Sequence, residues 1–200
     1  RAAHKGRVDV LTPVVKAWPT DLAVEIASTA LQIHGGAGYI EETGVAQLYR
    51  DARITPIYEG ANGIQAIDLV RRKVVGDRGV SMRALMGDMR ALRRTLPDSL
   101  ADVSRALGEG MSALRRATDW LIGEADAAST LAAATPYLRL VGTVTGGYLM
   151  TRAAAVAEAR LERGGEDGAF YAAKRATARF YAENILPFAT AFEHSAIHGG

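Results

Sequence analysis

Apolar residues recur three and four positions apart along nearly the whole of this 200-residue chain, and no stretch alternates with a period of two between turn residues. The pattern predicts an all-α fold. A helix is predicted to start at Pro19 and Thr20, to carry Leu22, Ile26, Ala30 and Ile33 as its apolar stripe, and to stop at Gly35 and Gly36. A shorter helix is expected from about Thr43 to Ile54, after which Pro56 interrupts the periodicity. The next begins near Gly60, holds Ile64, Ile67, Val70 and Val74 on one side, and closes at Gly76 and Gly79.

Beyond Gly79 the spacing becomes that of bundle seams. Met82, Leu85, Met86, Met89, Leu92 and Leu96 mark one amphipathic helix, and Leu100, Val103, Leu107, Met111, Leu114 and Leu121 a second. The alanine-rich stretch from Ala125 to about Arg163 contains Pro136, which predicts either two helices or one kinked helix. The segment RGGEDG, 163 to 168, breaks the pattern before a last helix containing Phe170, Phe180 and Ile185. This change of texture divides the chain into residues 1–78 and 79–200.

Composition narrows the classes of function. The chain is 48% apolar and 23% charged, as expected of a soluble globular protein. Twenty-four Lys and Arg against 22 Asp and Glu leave a net charge of +2, which argues against a nucleic-acid binder. The densest basic run, Arg71-Arg72-Lys73, reads as a solvated helix end. With no cysteine there is neither a disulfide framework nor a thiolate site. No apolar run reaches membrane-spanning length and no signal segment opens the chain, so a cytoplasmic location is the default expectation.

Three constellations invite chemistry. QIHGGAGYI, 32 to 40, fails the dinucleotide spacing, because the third glycine would fall at Glu41 and no strand precedes the loop. It is then either an ordinary helix stop or a turn whose bare N–H groups let an anion approach closely. Glu59 is either a first-turn acid favoured by the helix dipole or a general base. In the second case Pro56, Ile57 and Tyr58 supply an apolar approach that excludes water, and Gly60 gives a substrate room. His194 and His198 stand four apart, but Ser195 occupies the place where a zinc-protease pattern needs glutamate. No third ligand is in sight, so the pair reads as a frayed tail and no metal is expected.

Taken together, residues 31 to 73 resemble the C-terminal helical domain of the acyl-CoA dehydrogenases. A Q-x-x-G-G-x-G-[YF] turn, a Y-R-D-A-R-I helix and an I-Y-E-G-[TS]-x-x-I-Q helix start follow in that family's order and spacing. The residues up to Gly200 are similar to the extra helical domain of its larger members. The resemblance implies α,β-dehydrogenation of an acyl-CoA thioester, with Glu59 removing the α proton while the β hydrogen leaves as hydride to the N5 atom of FAD. It further implies that the N–H of Glu59 binds the thioester oxygen and that Tyr58 and Gly60 line the substrate site. Gln32, Ile33, His34, Gly35 and Gly36 would touch the FAD of a neighbouring subunit, and Ala61, Asn62 and Gly63 the flavin nucleotide. Ala61 stands where the family usually has threonine or serine, which removes a hydroxyl contact. Arg50, Asp51 and Arg53 are expected to hold their helix against its neighbours.

The implied partners are an electron-transferring flavoprotein and further copies of the chain, with no membrane. The family's N-terminal helices, β domain and first catalytic helices have no counterpart here, so the chain is expected to be a C-terminal fragment or a subunit, inactive alone. Two other readings stay open: a helical oligomerisation module without catalysis, and a nucleic-acid-binding relative of the family.

Overall fold

A computed structural model describes residues 2–123, 125–164 and 166–199, and every regular element among them is helical. Helix α1 spans Ala2–Ile33. It passes through both Pro13 and Pro19, so Pro19 lies inside the helix and does not begin it. Proline removes a helical N–H and opens the preceding turn. Here the carbonyls of that turn find side-chain donors, because the Thr20 hydroxyl lies 2.9 Å from the Lys16 oxygen and 2.8 Å from that of Ala17. The first half of α1 buries Val10, Val14 and Ala17, whereas the predicted apolar stripe is only partly covered, Leu22 and Ala30 being half-buried but Ile26 67% and Ile33 79% exposed.

A short helix α2, Gly36–Tyr39, and a 3-10 turn lead to α3, Val45–Ile54. Arg50 meets Glu41 through two hydrogen bonds of 3.0 and 2.9 Å, tying α3 to the turn before it, while Asp51 and Arg53 are exposed. Helix α4, Asn62–Ile67, runs directly into a π-helical stretch, Asp68–Val75, in place of the single regular helix expected from Gly60. The N–H of Gly76 accordingly reaches the Arg71 oxygen at 3.0 Å, five residues back. The wider turn accompanies burial of the adjacent Leu69 and Val70, both inaccessible to solvent. Such stretches recur at functional sites.

Helices α5 (Val80–Arg93) and α6 (Ala101–Gly123) follow the seams read from the sequence, except that Leu96 lies in the connection after α5 and Leu100 in a 3-10 turn before α6. The alanine-rich stretch forms two helices, α7 (Ala127–Ala132) and α8 (Ala134–Arg163), with Pro136 in the first turn of α8, where its missing N–H costs nothing. The last predicted helix is also two, α9 (Gly168–Asn184) and α10 (Phe188–His198), separated at Ile185–Pro187. His194 and His198 therefore lie within α10, their rings 4.9 Å apart, and not in a frayed tail.

Helix α8 is the central post. It packs on α1, α4, α6, α9 and α10, and one core cluster runs from Val10 to Ala196 across both halves of the chain. Inside it, the fully buried Tyr137 meets the Thr118 hydroxyl at 2.7 Å, and Thr118 donates to the Leu114 oxygen. The oxygen of a buried phenol keeps a partner in this way, and burial pushes its ionisation far upward. Arg116 forks onto both carboxylate oxygens of the buried Glu193, joining α6 to α10.

Glu158, also buried, accepts from Arg175 at 3.0 Å, joining α8 to α9. The Ser99 hydroxyl and the Arg175 guanidinium hold its carboxyl below the ordinary glutamate range. A carboxylate whose folded value is depressed adds stability that is complete above the unfolded range, about pH 4–5, and disappears as pH falls through the folded value. Glu158→Gln is therefore expected to flatten the acid limb of stability below about pH 5. Urea unfolding across that range tests it, and an acid limb identical to the parent's would refute it.

Candidate functional site

The chain leaves α3 through a turn in which the N–H of Tyr58 bonds the Ile54 oxygen at 3.2 Å and that of Asn62 bonds the Pro56 oxygen at 3.1 Å. Glu59 lies within this turn, ahead of the N-cap Ala61, so it is not a first-turn acid. Its backbone has φ 55°, a left-handed conformation that costs a residue with a Cβ about 1 kcal/mol. Gly60 follows at φ 89°, which only glycine adopts freely. Neither the Glu59 nor the Gly60 N–H has an acceptor among the described residues, whereas the Gln65 amide reaches back to the carbonyls of both at 3.3 and 3.4 Å. Backbone strain of this kind concentrates at functional sites.

Glu59 and Gly60 form one end of a cleft of about 780 Å³, continued by Ile64, Gln65, Asp68 and the basic run Arg71, Arg72 and Lys73. Arg71 and Arg72 of that run are exposed, as expected of a solvated helix end, and Lys73 is half-buried beside the cleft. Asp68 pairs with Arg72 at 3.2 Å. Sequence reasoning missed Lys16, whose Nζ lies 3.1 Å from Oε2 of Glu59. The two residues are 43 positions apart, and no local pattern could have joined them.

The expected water exclusion is not built from these residues alone. Ile57 and Tyr58 are each 52% exposed, and the Glu59 side chain is 66% exposed. The apolar approach to the acid is present in sequence, but within this chain nothing covers it.

Of the other residues singled out by sequence, Ala61 and Gly63 are exposed beside the turn, while Asn62 faces α1. Its amide nitrogen lies 3.0 Å from the Ala17 oxygen, 3.0 Å from Thr20 Oγ1 and 2.7 Å from Asp21 Oδ1. Its side chain is thus engaged in pinning the start of α4 to α1. Asn62→Ala is expected to cost about 1–2 kcal/mol, by leaving these half-buried acceptors without a donor. Thermal unfolding measures this, and an unchanged midpoint would contradict it.

Gln32, Ile33, His34, Gly35 and Gly36 form a separate exposed turn, and none of them lines the cleft. The His34 ring bonds the Ala30 oxygen at 2.9 Å, closing α1, and Gly35 adopts φ 59°. A side chain at Gly35 or Gly36 would meet no atom within 4 Å, so the backbone there is open to an outside ligand. Gly38 is different: a Cβ there would lie 2.5 Å from the Leu31 oxygen, so it is glycine for packing.

The N–H groups of His34, Gly35 and Gly38 are already bonded to the Ala30, Gln32 and Gly35 oxygens at 3.2, 3.0 and 3.0 Å, so only the remaining N–H groups of this turn could meet an anion from outside the chain. At 61–63 the side chains offer less, because Ala61 has no hydroxyl and Asn62 is occupied, which leaves the backbone. Among the described residues no group of three metal-ligating side chains is brought together, and no helix is long and apolar enough to cross a membrane.

Comparison with known proteins bears on the same segments. Residues 1–74 match the family pattern described as the acyl-CoA dehydrogenase C-terminal domain, and residues 82–200 match the one described as acetyl-CoA dehydrogenase C-terminal like. The chain is 43% identical to 3-methylmercaptopropionyl-CoA dehydrogenase of Ruegeria pomeroyi, over 98% of this chain and 34% of that protein. It is 33% identical to the broad-specificity linear acyl-CoA dehydrogenase FadE5 of Mycobacterium tuberculosis, over 91% of this chain and 32% of that protein. A butyryl-CoA dehydrogenase of Syntrophomonas wolfei is also 33% identical, over 88% of this chain and 30% of its own length. The chain thus spans about a third of the length of each of these relatives, and it belongs to the acyl-CoA dehydrogenase family.

Proposed function

We propose that this chain is the C-terminal portion of an FAD-dependent acyl-CoA dehydrogenase and that Glu59 is its general base. The observation that carries the reading is the Glu59 turn, a strained, left-handed acid at the end of a cleft with two N–H groups left without acceptors. In this reading one carboxylate oxygen takes the α proton of the thioester. The Glu59 N–H meets the carbonyl oxygen as negative charge develops on it, a preorganised donor of the kind that lowers such barriers. Tyr58 and Gly60 border the acyl group. FAD, when bound, supplies the acceptor for the β hydride. The open Gln32–Gly36 turn and the backbone of Ala61, Asn62 and Gly63 would hold it, the former from a neighbouring subunit.

The same reading accounts for apolar residues left exposed in the first half of the chain. Ile26 and Ile33 of α1, Tyr39, Leu48 of α3 and Ile57 are all at least half exposed. The remaining domains and further subunits of the enzyme would cover these residues and supply the dry environment that Glu59 lacks here. We assign residues 1–78 to the catalytic helical domain and 79–200 to the added bundle, with an electron-transferring flavoprotein as the physiological acceptor. Anaerobic mixing of the assembled flavoprotein with straight-chain acyl-CoAs tests the activity, the flavin's visible absorbance reporting the reaction. Bleaching is expected, and persistent oxidised flavin with every thioester would refute the reading.

A further inference from the structure

Among the described residues, the Lys16–Glu59 pair is the one hydrogen bond or ion pair that ties the carboxylate of the turn to another element. Two features make it a built contact. The residues of α1 around Lys16 are locked to the start of α4, since Ala17, Thr20 and Asp21 all meet the Asn62 amide. Trp18, on the same helix, lies against the glycines of α8. The left-handed backbone of Glu59 then sets where its side chain leaves the turn. Two rigid frames therefore present an ammonium and a carboxylate to each other across 43 positions of sequence.

Resting on the reading of Glu59 as base, we propose that Lys16 is a positioning residue for the reaction: it holds Glu59 through Oε2, leaving Oε1 to face the substrate's α carbon. Lys16 reaches Glu59 from outside the cleft lining; the charged groups that do line the cleft beside Glu59, namely Asp68, Arg71, Arg72 and Lys73, belong to the helical segment after it, and none of them pairs with it among the described residues. Among the described residues of α1, Lys16 alone pairs with it. In an exposed site such a pair is worth little. Its value here is geometric, because a base misplaced by an ångström loses rate steeply.

The test uses the assembled flavoenzyme, with Lys16→Met, Lys16→Arg, Glu59→Gln and the double variant Lys16→Met/Glu59→Gln, and single-turnover flavin reduction as the readout. Lys16→Met is expected to slow the limiting rate on the order of 10-fold, to leave the dissociation constant of a non-reactive thioether analogue unchanged, and to enlarge the α-deuterium isotope effect. Lys16→Arg should restore most of the rate. The double variant should be no slower than Glu59→Gln alone, because Lys16 acts only through that carboxylate. An unchanged limiting rate in Lys16→Met, or a double variant slower than Glu59→Gln by the full single-variant factor, overturns the inference while the base assignment stands. Near-normal reduction in Glu59→Gln overturns the base assignment itself.

Discussion

Glu59→Gln is expected to slow flavin reduction by acyl-CoA roughly 10²–10⁴-fold, the range that a positioned general base contributes. Glutamine has nearly the same shape, can accept from Lys16 and keeps the backbone N–H that would meet the thioester oxygen. Binding of a non-reactive acyl-CoA analogue and of flavin should therefore be preserved, so the loss falls on the chemical step and not on affinity. Stopped-flow absorbance at saturating thioester measures it. Reduction within a factor of a few of the parent would show that the proton leaves to another group. The glutamine variant is preferred to Glu59→Asp, which would shorten the reach and break the Lys16 contact together.

Gly142→Val should be among the most destabilising substitutions in the chain, by roughly 3 kcal/mol, the upper part of the range for overfilling a packed site. A Cβ at Gly142 would lie 2.4 Å from Cγ of the Trp18 indole and 2.6 Å from Cδ2. One turn on, a Cβ at Gly146 would lie 3.0 Å from the far edge of the same ring and 2.4 Å from the Tyr181 hydroxyl. The indole thus lies across two glycines of α8, and Tyr181 adds a hydrogen bond to the Thr143 oxygen at 2.9 Å. Alanine would already bring the clashing Cβ, offset in part by about 1 kcal/mol of helix propensity, whereas valine adds two further methyl groups and gains less propensity. A fall in melting temperature of roughly 6–12 °C is the expected readout for a domain of this size. Trp18→Ala in the same background should recover part of it. Strict additivity of the two penalties would show that ring and glycine do not compete for the same space.

These two effects are connected. Trp18 fixes α1 against α8, and α1 carries both Lys16 and the acceptors of Asn62, so α8 supports the carboxylate turn although none of its residues lines the cleft. Disturbing Gly142 should therefore lower activity as well as stability.

The seams of α5 and α6 were legible because each helix buries one stripe and leaves the opposite face in water, so Met82, Leu85, Met86 and Met89 repeat at helical spacing. Helix α8 resisted the same reading. It is buried nearly all round over Tyr137–Val144, and a helix enclosed by five others has no polar face to give it a phase. The stripe Leu22, Ile26, Ala30 and Ile33 misled in the opposite direction, because apolar periodicity reports that a face is covered and not by what. In this chain Ile26 and Ile33 have no cover, while Leu22 and Ala30 are half-buried. Pro19 looked like a boundary because proline disfavours the preceding turn. Thr20 and Asn62, the second from another helix, compensate for it.

What the residues alone determined is the all-α class, the turns at Gly35–Gly36 and Tyr58–Gly60, and the family whose motifs those turns spell, since these depend on short-range periodicity and local backbone chemistry. The tertiary structure alone decided the left-handed backbone of Glu59, its pairing with Lys16, the engagement of Asn62 with α1 and the turning of Arg71, Arg72 and Lys73 toward one cleft. Contacts between residues more than 40 positions apart depend on how helices cross, and crossing is set by side-chain volume at places such as Gly142, which carry no signal along the chain.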